Sequence, residues 1–244
     1  MRASCLLLTY NKMPGFKHLV EEAIQSFLDQ DYADKELIIV NDTPGQFLYL
    51  DPLPDNVVLV NLPRRVRSLG EKCNIAAAMS TGDILLRWDD DDISLPWRIS
   101  TTVKHLGTAA YWKPSHSFFM HGRSFRLLCG YMGACCIPRS VFEQIQGYPF
   151  IGVGEDQAIE RRIKALDLKF VVEKLTPAEA FYIYRWGNGS THVSGLGPDG
   201  YDKISRQSIM PGSFKLNPHW AEDHLTKRTR YLREVPDGRT ELEL

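Results

Sequence analysis

Asp89, Asp90, Asp91 and Asp92 follow one another at the end of an apolar segment. Adjacent carboxylates repel and raise one another's pKa, so such a run needs a counter-charge. A divalent cation supplies it, and hard carboxylate oxygens select Mg²⁺, Mn²⁺ or Ca²⁺ over soft metals. In an extended segment alternate side chains share a face, so Asp89 and Asp91 would point one way and Asp90 and Asp92 the other. One pair would then grip a metal while the other faced the chain or a ligand. The plain alternative is a solvated acidic loop, or a cap for a helix starting near Pro96.

Other chemistry-bearing residues also follow apolar runs. Thr9, Tyr10 and Asn11 follow Ala3 to Leu8, and Asp42 follows Glu36 to Val40. They suit hydrogen bonds to a base and ribose; Asp42 before Thr43-Pro44, Thr9 and Asn11 also suit ordinary turns. Gly154-Glu155-Asp156-Gln157 precedes a helical pattern. It reads either as an acidic first turn or as a carboxylate base for an acceptor hydroxyl. Arg185 and His192 lie in a stretch rich in donors and glycine, and could hold a diphosphate or complete a metal shell. The aromatic segment Tyr111 to Phe125 should line an acceptor side, where His121 and Arg123 would suit an anionic or sugar acceptor.

Positioning these residues requires alternating strands and helices. Strands are expected at Ala3 to Leu8, Glu36 to Val40, Asn56 to Val60 and Asp83 to Trp88. Leu19, Ala23 and Phe27, with Val20, Ile24 and Leu28, step by four along a helix. Gly70 to Ser80 is a second helix. Strands apolar on both faces imply a parallel sheet covered by helices on each side, with ligands outside the strand carboxyl ends. Further on, Tyr131 to Ile137 reads as a strand, Pro138 to Gln146 as a helix closed by Gly147, Gln157 to Leu166 as a helix and Leu168 to Val172 as a strand. Tyr111 to Leu128 has no clear period, and beyond Gly187 loops are expected with one helix near Ala221 to Arg233.

Bulk properties narrow the function classes. The 244 residues carry 29 basic and 30 acidic side chains, a formal charge of −1, so there is no general pull on nucleic acid or anionic membrane. The five cysteines, Cys5, Cys73, Cys129, Cys135 and Cys136, lack CxxC spacing and read as reduced thiols of a cytoplasmic protein. Apolar runs of about five residues fall far short of a membrane span.

The order LLLTYN, ELIIVNDTPG, SLGEKCNIAAAMSTGDILLRWDDDDISLP, GEDQAIERRIKA and YRWGNGSTH, from about Ala3 to His192, resembles family 2 of the glycosyltransferases. That likeness implies the GT-A fold, a Rossmann-like α/β architecture whose mixed, mostly parallel sheet has helices on both faces. It implies a domain over 1–195, with a nucleotide-binding half at 1–92 and an acceptor half at 93–195, and a loop and helix extension over 196–244. It also implies an inverting, metal-dependent transfer of sugar from a nucleotide diphosphate, with UDP as the default, to a glycan, glycoconjugate or lipid-linked acceptor. By resemblance Thr9 and Asp42 meet the nucleoside, and Lys72, just before Asn74, lies near the nucleotide. Tyr10, Asn11, Asn74, Asp90 and Arg185 complete the donor contacts. Asp89 and Asp91 form the D-x-D motif for Mn²⁺ or Mg²⁺, with His192 as a further ligand. Asp156 is the base, with Glu155 beside it. The usual Asp-Gly-Ser is Asp42-Thr43-Pro44 here, which leaves base preference open. A lipid-linked acceptor would leave room for peripheral membrane association. The competing readings are a retaining GT-A enzyme, a sugar-phosphate nucleotidyltransferase, disfavoured by the sequence after the first strand, and a non-catalytic nucleotide- or glycan-binding protein.

Overall fold

Every apolar run of the first ninety residues becomes an element of one layered unit. The computed structural model describes residues 1–12, 15–121, 124–129, 134–176, 178–185 and 232–235. Strands β1 (Ala3–Thr9), β2 (Lys35–Asn41), β4 (Val57–Asn61) and β5 (Ile84–Asp89) are mutually parallel. With β7 (Tyr111–Pro114), β10 (Cys136–Pro138) and β11 (Phe170–Glu173) they form a seven-stranded sheet in the order β11-β7-β10-β5-β1-β2-β4. Only β10 runs antiparallel to its neighbours, so the sheet is mixed and mostly parallel, as expected.

The two faces are sorted by residue parity. Ala3, Cys5 and Leu7 of β1 join Leu37 and Ile39 of β2 in one core, against Val20, Ile24 and Phe27 of helix α1 (Lys17–Leu28) and Ile99 of α3 (Arg98–Leu106). Leu6, Leu8, Ile38 and Val40 face the other core, which holds Cys73 and Ala76 of α2 (Leu69–Ala78), Phe142 of α4 (Arg139–Gln144) and Ile159 of α5 (Glu155–Ala165). Side chains alternate along a strand, so a run apolar at every position must be covered twice. Each fully buried Leu or Ile contributes about 2 kcal/mol of transfer free energy.

A four-stranded sheet packs beside the first, in the order β6 (Ile93–Ser94), β12 (Tyr182–Arg185), β8 (His116–His121) and β9 (Ser124–Cys129). The segment without a clear period is thus three strands, β7, β8 and β9, the last two an antiparallel pair. The strand expected over Tyr131 to Ile137 is confined, among the described residues, to Cys136–Pro138. Leu232–Val235, within and just past the helix expected near Ala221 to Arg233, is a strand, β13, paired with an additional strand, β3 (Phe47–Leu50). The rest of that expected helix lies outside the described residues.

At the amino-terminal end of the sheet a buried carboxylate, Glu36, ties three segments together. It accepts hydrogen bonds from Ser4 Oγ (2.6 Å), Thr81 N (2.5 Å), Gly82 N (3.0 Å) and Arg2 Nη2 (3.0 Å). Burial raises its pKa, but the Ser4 and Thr81 donors and the Arg2 charge outweigh that and hold it below the ordinary value. A carboxyl with a depressed folded pKa contributes stability above its unfolded pKa and loses it as pH falls through the folded one. Glu36→Gln is expected to destabilise the fold by about 2 kcal/mol near neutral pH and by less in acid. Urea unfolding at the two pH values checks this; an equal loss at both would contradict it.

Candidate active site

Parallel register sets three strand ends side by side. Thr9 pairs with Asn41 of β2, and Leu8 with Asp89 of β5, so Thr9, Asp42 and the aspartate run open onto one edge. Lys72 of α2 reaches into this edge and donates to Asp42 Oδ1 and to the Thr9 carbonyl, both at 2.5 Å. Burial pulls the Lys72 pKa down, and the Asp42 carboxylate opposes that pull. Asp42 Oδ2 accepts from Val66 N at 3.2 Å. The turn-forming bond expected of Asp42 belongs instead to Asn41, whose Oδ1 accepts from Thr43 N at 3.2 Å.

Beyond β1 the backbone of Asn11 turns left-handed, with φ of 50°, a conformation that asparagine tolerates. Its N–H donates to Thr43 Oγ1 at 2.7 Å and joins the ends of β1 and β2. The Arg65 guanidinium lies 3.7 Å from the centre of the Tyr10 ring, a cation–π contact at the same edge.

The aspartate run does not continue the strand. β5 ends at Asp89 and the chain turns at Asp90 and Asp91 towards β6. The turn replaces the expected alternation with different pairs. Asp90 and Asp91 both face the Lys12 ammonium, at 3.3 and 3.4 Å. Asp89 and Asp92 share the Tyr182 hydroxyl, at 2.6 and 2.5 Å. Burial and the Asp91 charge push the Asp90 carboxyl up to about 6, against Lys12 and the Thr9 hydroxyl. Burial acts against the Lys12 ammonium, yet Asp90 and Asp91 leave its pKa raised. Burial, with Asp91 and Asp89, drives the Asp92 pKa well above the ordinary carboxyl value. The Tyr182 hydroxyl carries one hydrogen, so it donates to one of these two carboxylates at a time.

Arg185 is buried behind this turn. Its backbone N–H donates to Asp92 Oδ1 at 2.7 Å, its Nε to the Asp91 carbonyl, and its Nη1 to Glu22. Its Nη2 is buried with no hydrogen-bond partner among the described residues.

Glu155 and Asp156 open α5 after Gly154, whose φ of 75° suits glycine. Glu155 is buried and 3.2 Å from Arg87 Nη1, whereas Asp156 is exposed. The loop ahead of them rests on α2. Both amide atoms of Asn74 are used on the Tyr148 backbone, at 2.8 and 2.9 Å, so Asn74 holds this loop. A Cβ on Gly70 would lie 1.9 Å from the Pro149 carbonyl oxygen. Gly70→Ala is therefore expected to displace the loop, destabilise the fold by about 1–3 kcal/mol and lower turnover. Thermal unfolding alongside steady-state rates would test it; unchanged values in both would contradict the packing.

Lys12, Arg65, Arg87 and Tyr182 join the site, although none was among the expected site residues. Arg87 had a signal, a lone charge in the apolar run Ile84 to Trp88. Lys12 and Tyr182 had none, because only the turn at Asp90 brings them to the carboxylates. His192 and Arg123 lie outside the described residues, and His121 is placed only as the last residue of β8.

The carboxylates suit a hard cation. Asp90 Oδ2 is a buried oxygen with no hydrogen-bond partner among the described residues, in a cluster of acidic oxygens. No three His, Cys, Asp or Glu side chains among those residues gather to hold a metal by themselves. Mg²⁺-type sites normally combine one or two carboxylates with substrate phosphates and water, so the donor set fits a cation that arrives with a diphosphate.

Residues 4–114 match the sequence model of glycosyl transferase family 2. The match spans β1 to β7, just under half of the chain. A relative, the uncharacterised glycosyltransferase YwdF of Bacillus subtilis (strain 168), is 30% identical over 116 residues, 46% of this chain and 40% of its own. The chain thus spans well under half of that relative. Among solved structures, S. aureus TarS 1–349 in complex with UDP-GlcNAc aligns at a TM-score of 0.57 and 15% identity, covering 76% of this chain and 58% of that one. The mannosyltransferase PcManGT from Pyrobaculum calidifontis, in complex with GDP-Man and Mn²⁺, aligns at 0.56 and 16% identity over 86% of this chain and 66% of that one. At such identities the likeness is one of fold, and the fold is GT-A. No helix among the described residues is long and apolar enough to cross a membrane.

Proposed function

We propose that the chain transfers a sugar from a nucleotide diphosphate, with UDP as the default nucleotide, to an acceptor hydroxyl with inversion at the anomeric carbon. The observation that carries this reading is the convergence of Thr9, Asp42, Lys72 and the Asp89–Asp92 turn on one sheet edge, within the residues that match the family 2 model. Relatives of its fold were solved with UDP-GlcNAc and with GDP-Man and Mn²⁺, which supports a nucleotide-sugar donor.

The strand ends of β1 and β2 receive the nucleoside, through Thr9, Tyr10 and Asp42. Lys72, buried between Thr9 and Asp42, places positive charge where the nucleotide enters. Asp91 would hold Mn²⁺ or Mg²⁺, with His192 as the further ligand expected and Asp89, fixed by Arg87 and Tyr182, beside it; as a Lewis acid the ion would neutralise charge on the departing diphosphate. Asp156 accepts the acceptor proton as the hydroxyl oxygen bonds to the anomeric carbon and the carbon–phosphate-oxygen bond breaks. The exposed Asp156 is open to an acceptor, whereas Glu155 is occupied by Arg87. One base and a single in-line displacement need no enzyme nucleophile, so the product has inverted configuration. Arg185 adds positive charge behind the aspartate turn. The acceptor class fitting this reading is a glycan, glycoconjugate or lipid-linked hydroxyl.

A panel of UDP- and GDP-sugars, assayed for nucleoside diphosphate release with Mn²⁺ and the anomeric configuration of any product, tests this. Release from one donor with an inverted product is expected. Binding without any release would favour a non-catalytic role, and retained configuration would replace the single displacement.

A further inference from the structure

Arg87 is a largely buried charge to which the mechanism above assigns no role. Arg87 sits within β5, two residues before Asp89, and its side chain is 11% exposed. By strand parity it shares the face of Leu85, the face covered by α2 and α5. Packing there calls for an aliphatic side chain, and a buried cation is unfavourable unless it is fully paired.

Its partners come from separate elements. Arg87 Nε donates to Asp89 Oδ1 at 3.0 Å, and Nη1 donates to Glu155 Oε1 at 3.2 Å and to Cys73 Sγ of α2 at 3.5 Å. The Arg87 carbonyl accepts from Arg98 Nη2 of α3. Asp89 Oδ2 takes the Tyr182 hydroxyl, so both Asp89 oxygens are fixed. Glu155 is the first residue of α5, and anchoring it orients the next residue, Asp156.

We propose that Arg87 is a positioning residue that locks the donor-side carboxylate Asp89 to the base-bearing first turn of α5. The inference rests on the proposed transferase reading. A guanidinium suits the task because its planar fork presents two donors at a fixed angle, which a lysine ammonium does not. Loss of the fork frees Asp89 to rotate and leaves Glu155 a buried, unpaired charge at the start of α5.

The test measures binding of UDP with Mn²⁺ (or GDP, whichever the wild-type chain binds) and diphosphate release from the matching sugar nucleotide. Variants are Arg87→Met, Arg87→Lys, Glu155→Gln and the double Arg87→Met/Glu155→Gln, each normalised to its folded fraction. Arg87→Met is expected to lower kcat roughly 10- to 100-fold, the usual loss for a residue orienting a functional carboxylate, with a smaller rise in donor KM. Arg87→Lys should recover part of it. The double variant should be no slower than the slower single one, because both changes break one linkage. Should Arg87→Met fail to fold, Arg87→Lys with Glu155→Gln provides the same cycle. Arg87 variants with wild-type kcat, or losses that multiply in the double variant, would overturn the inference while leaving the transferase reading intact. A wild-type chain that binds no nucleoside diphosphate would bring down both.

Discussion

Asp156→Asn is expected to lower kcat by roughly 10²- to 10⁴-fold, the usual contribution of a positioned general base. The amide keeps the size of the side chain but cannot take the acceptor proton. Asp156 is exposed and its Oδ1 accepts the neighbouring Gln157 N–H at 2.7 Å, so the change disturbs little else. Nucleoside diphosphate affinity should stay at the wild-type value, because donor contacts come from β1, β2 and the aspartate turn. Steady-state kinetics with a binding isotherm separates the outcomes. Loss of affinity matching the loss of rate would move Asp156 to the donor site. An unchanged rate would show that another group removes the proton.

Asp91→Asn is expected to weaken metal-dependent diphosphate binding by roughly 10- to 100-fold, while weak metal-independent binding persists. The effect is electrostatic. Asp91 is buried, 3.4 Å from Lys12 and adjacent to Asp90. Removing its charge takes away a hard ligand and leaves Lys12 paired with Asp90 alone. Titration of the variant with UDP, with and without Mn²⁺, checks this. If both variant and wild type bind equally with metal, the cation is held elsewhere or is not used.

The sheet was legible in the sequence because its strands are buried on both faces. Leu37, Ile38, Ile39 and Val40 are all fully buried, as a parallel strand covered by helices on each side requires. β3, β8 and β9 were not legible. They are short or belong to a smaller sheet, and β13, the partner of β3, lies 182 residues further on at Leu232↔Leu50. The aspartates were legible as a site, but not their pairing. A strand-like alternation predicts Asp89 with Asp91, whereas the turn at Asp90 pairs Asp89 with Asp92 through Tyr182, and Asp90 with Asp91 through Lys12. Asn74, from its place after Lys72, reads as a donor contact. In the helix, a two-residue offset turns it away from Lys72 and towards the Tyr148 backbone.

The central claim is that the sheet edge formed by Thr9, Asp42, Lys72 and the aspartate turn holds a nucleoside diphosphate with a divalent cation. Calorimetric titration of the wild-type chain with UDP, GDP, dTDP and CDP, each with and without Mn²⁺, tests it most directly. Binding of one diphosphate that strengthens sharply with Mn²⁺ is the predicted result, and it would also name the base. Binding of none of the four under either condition would contradict the claim.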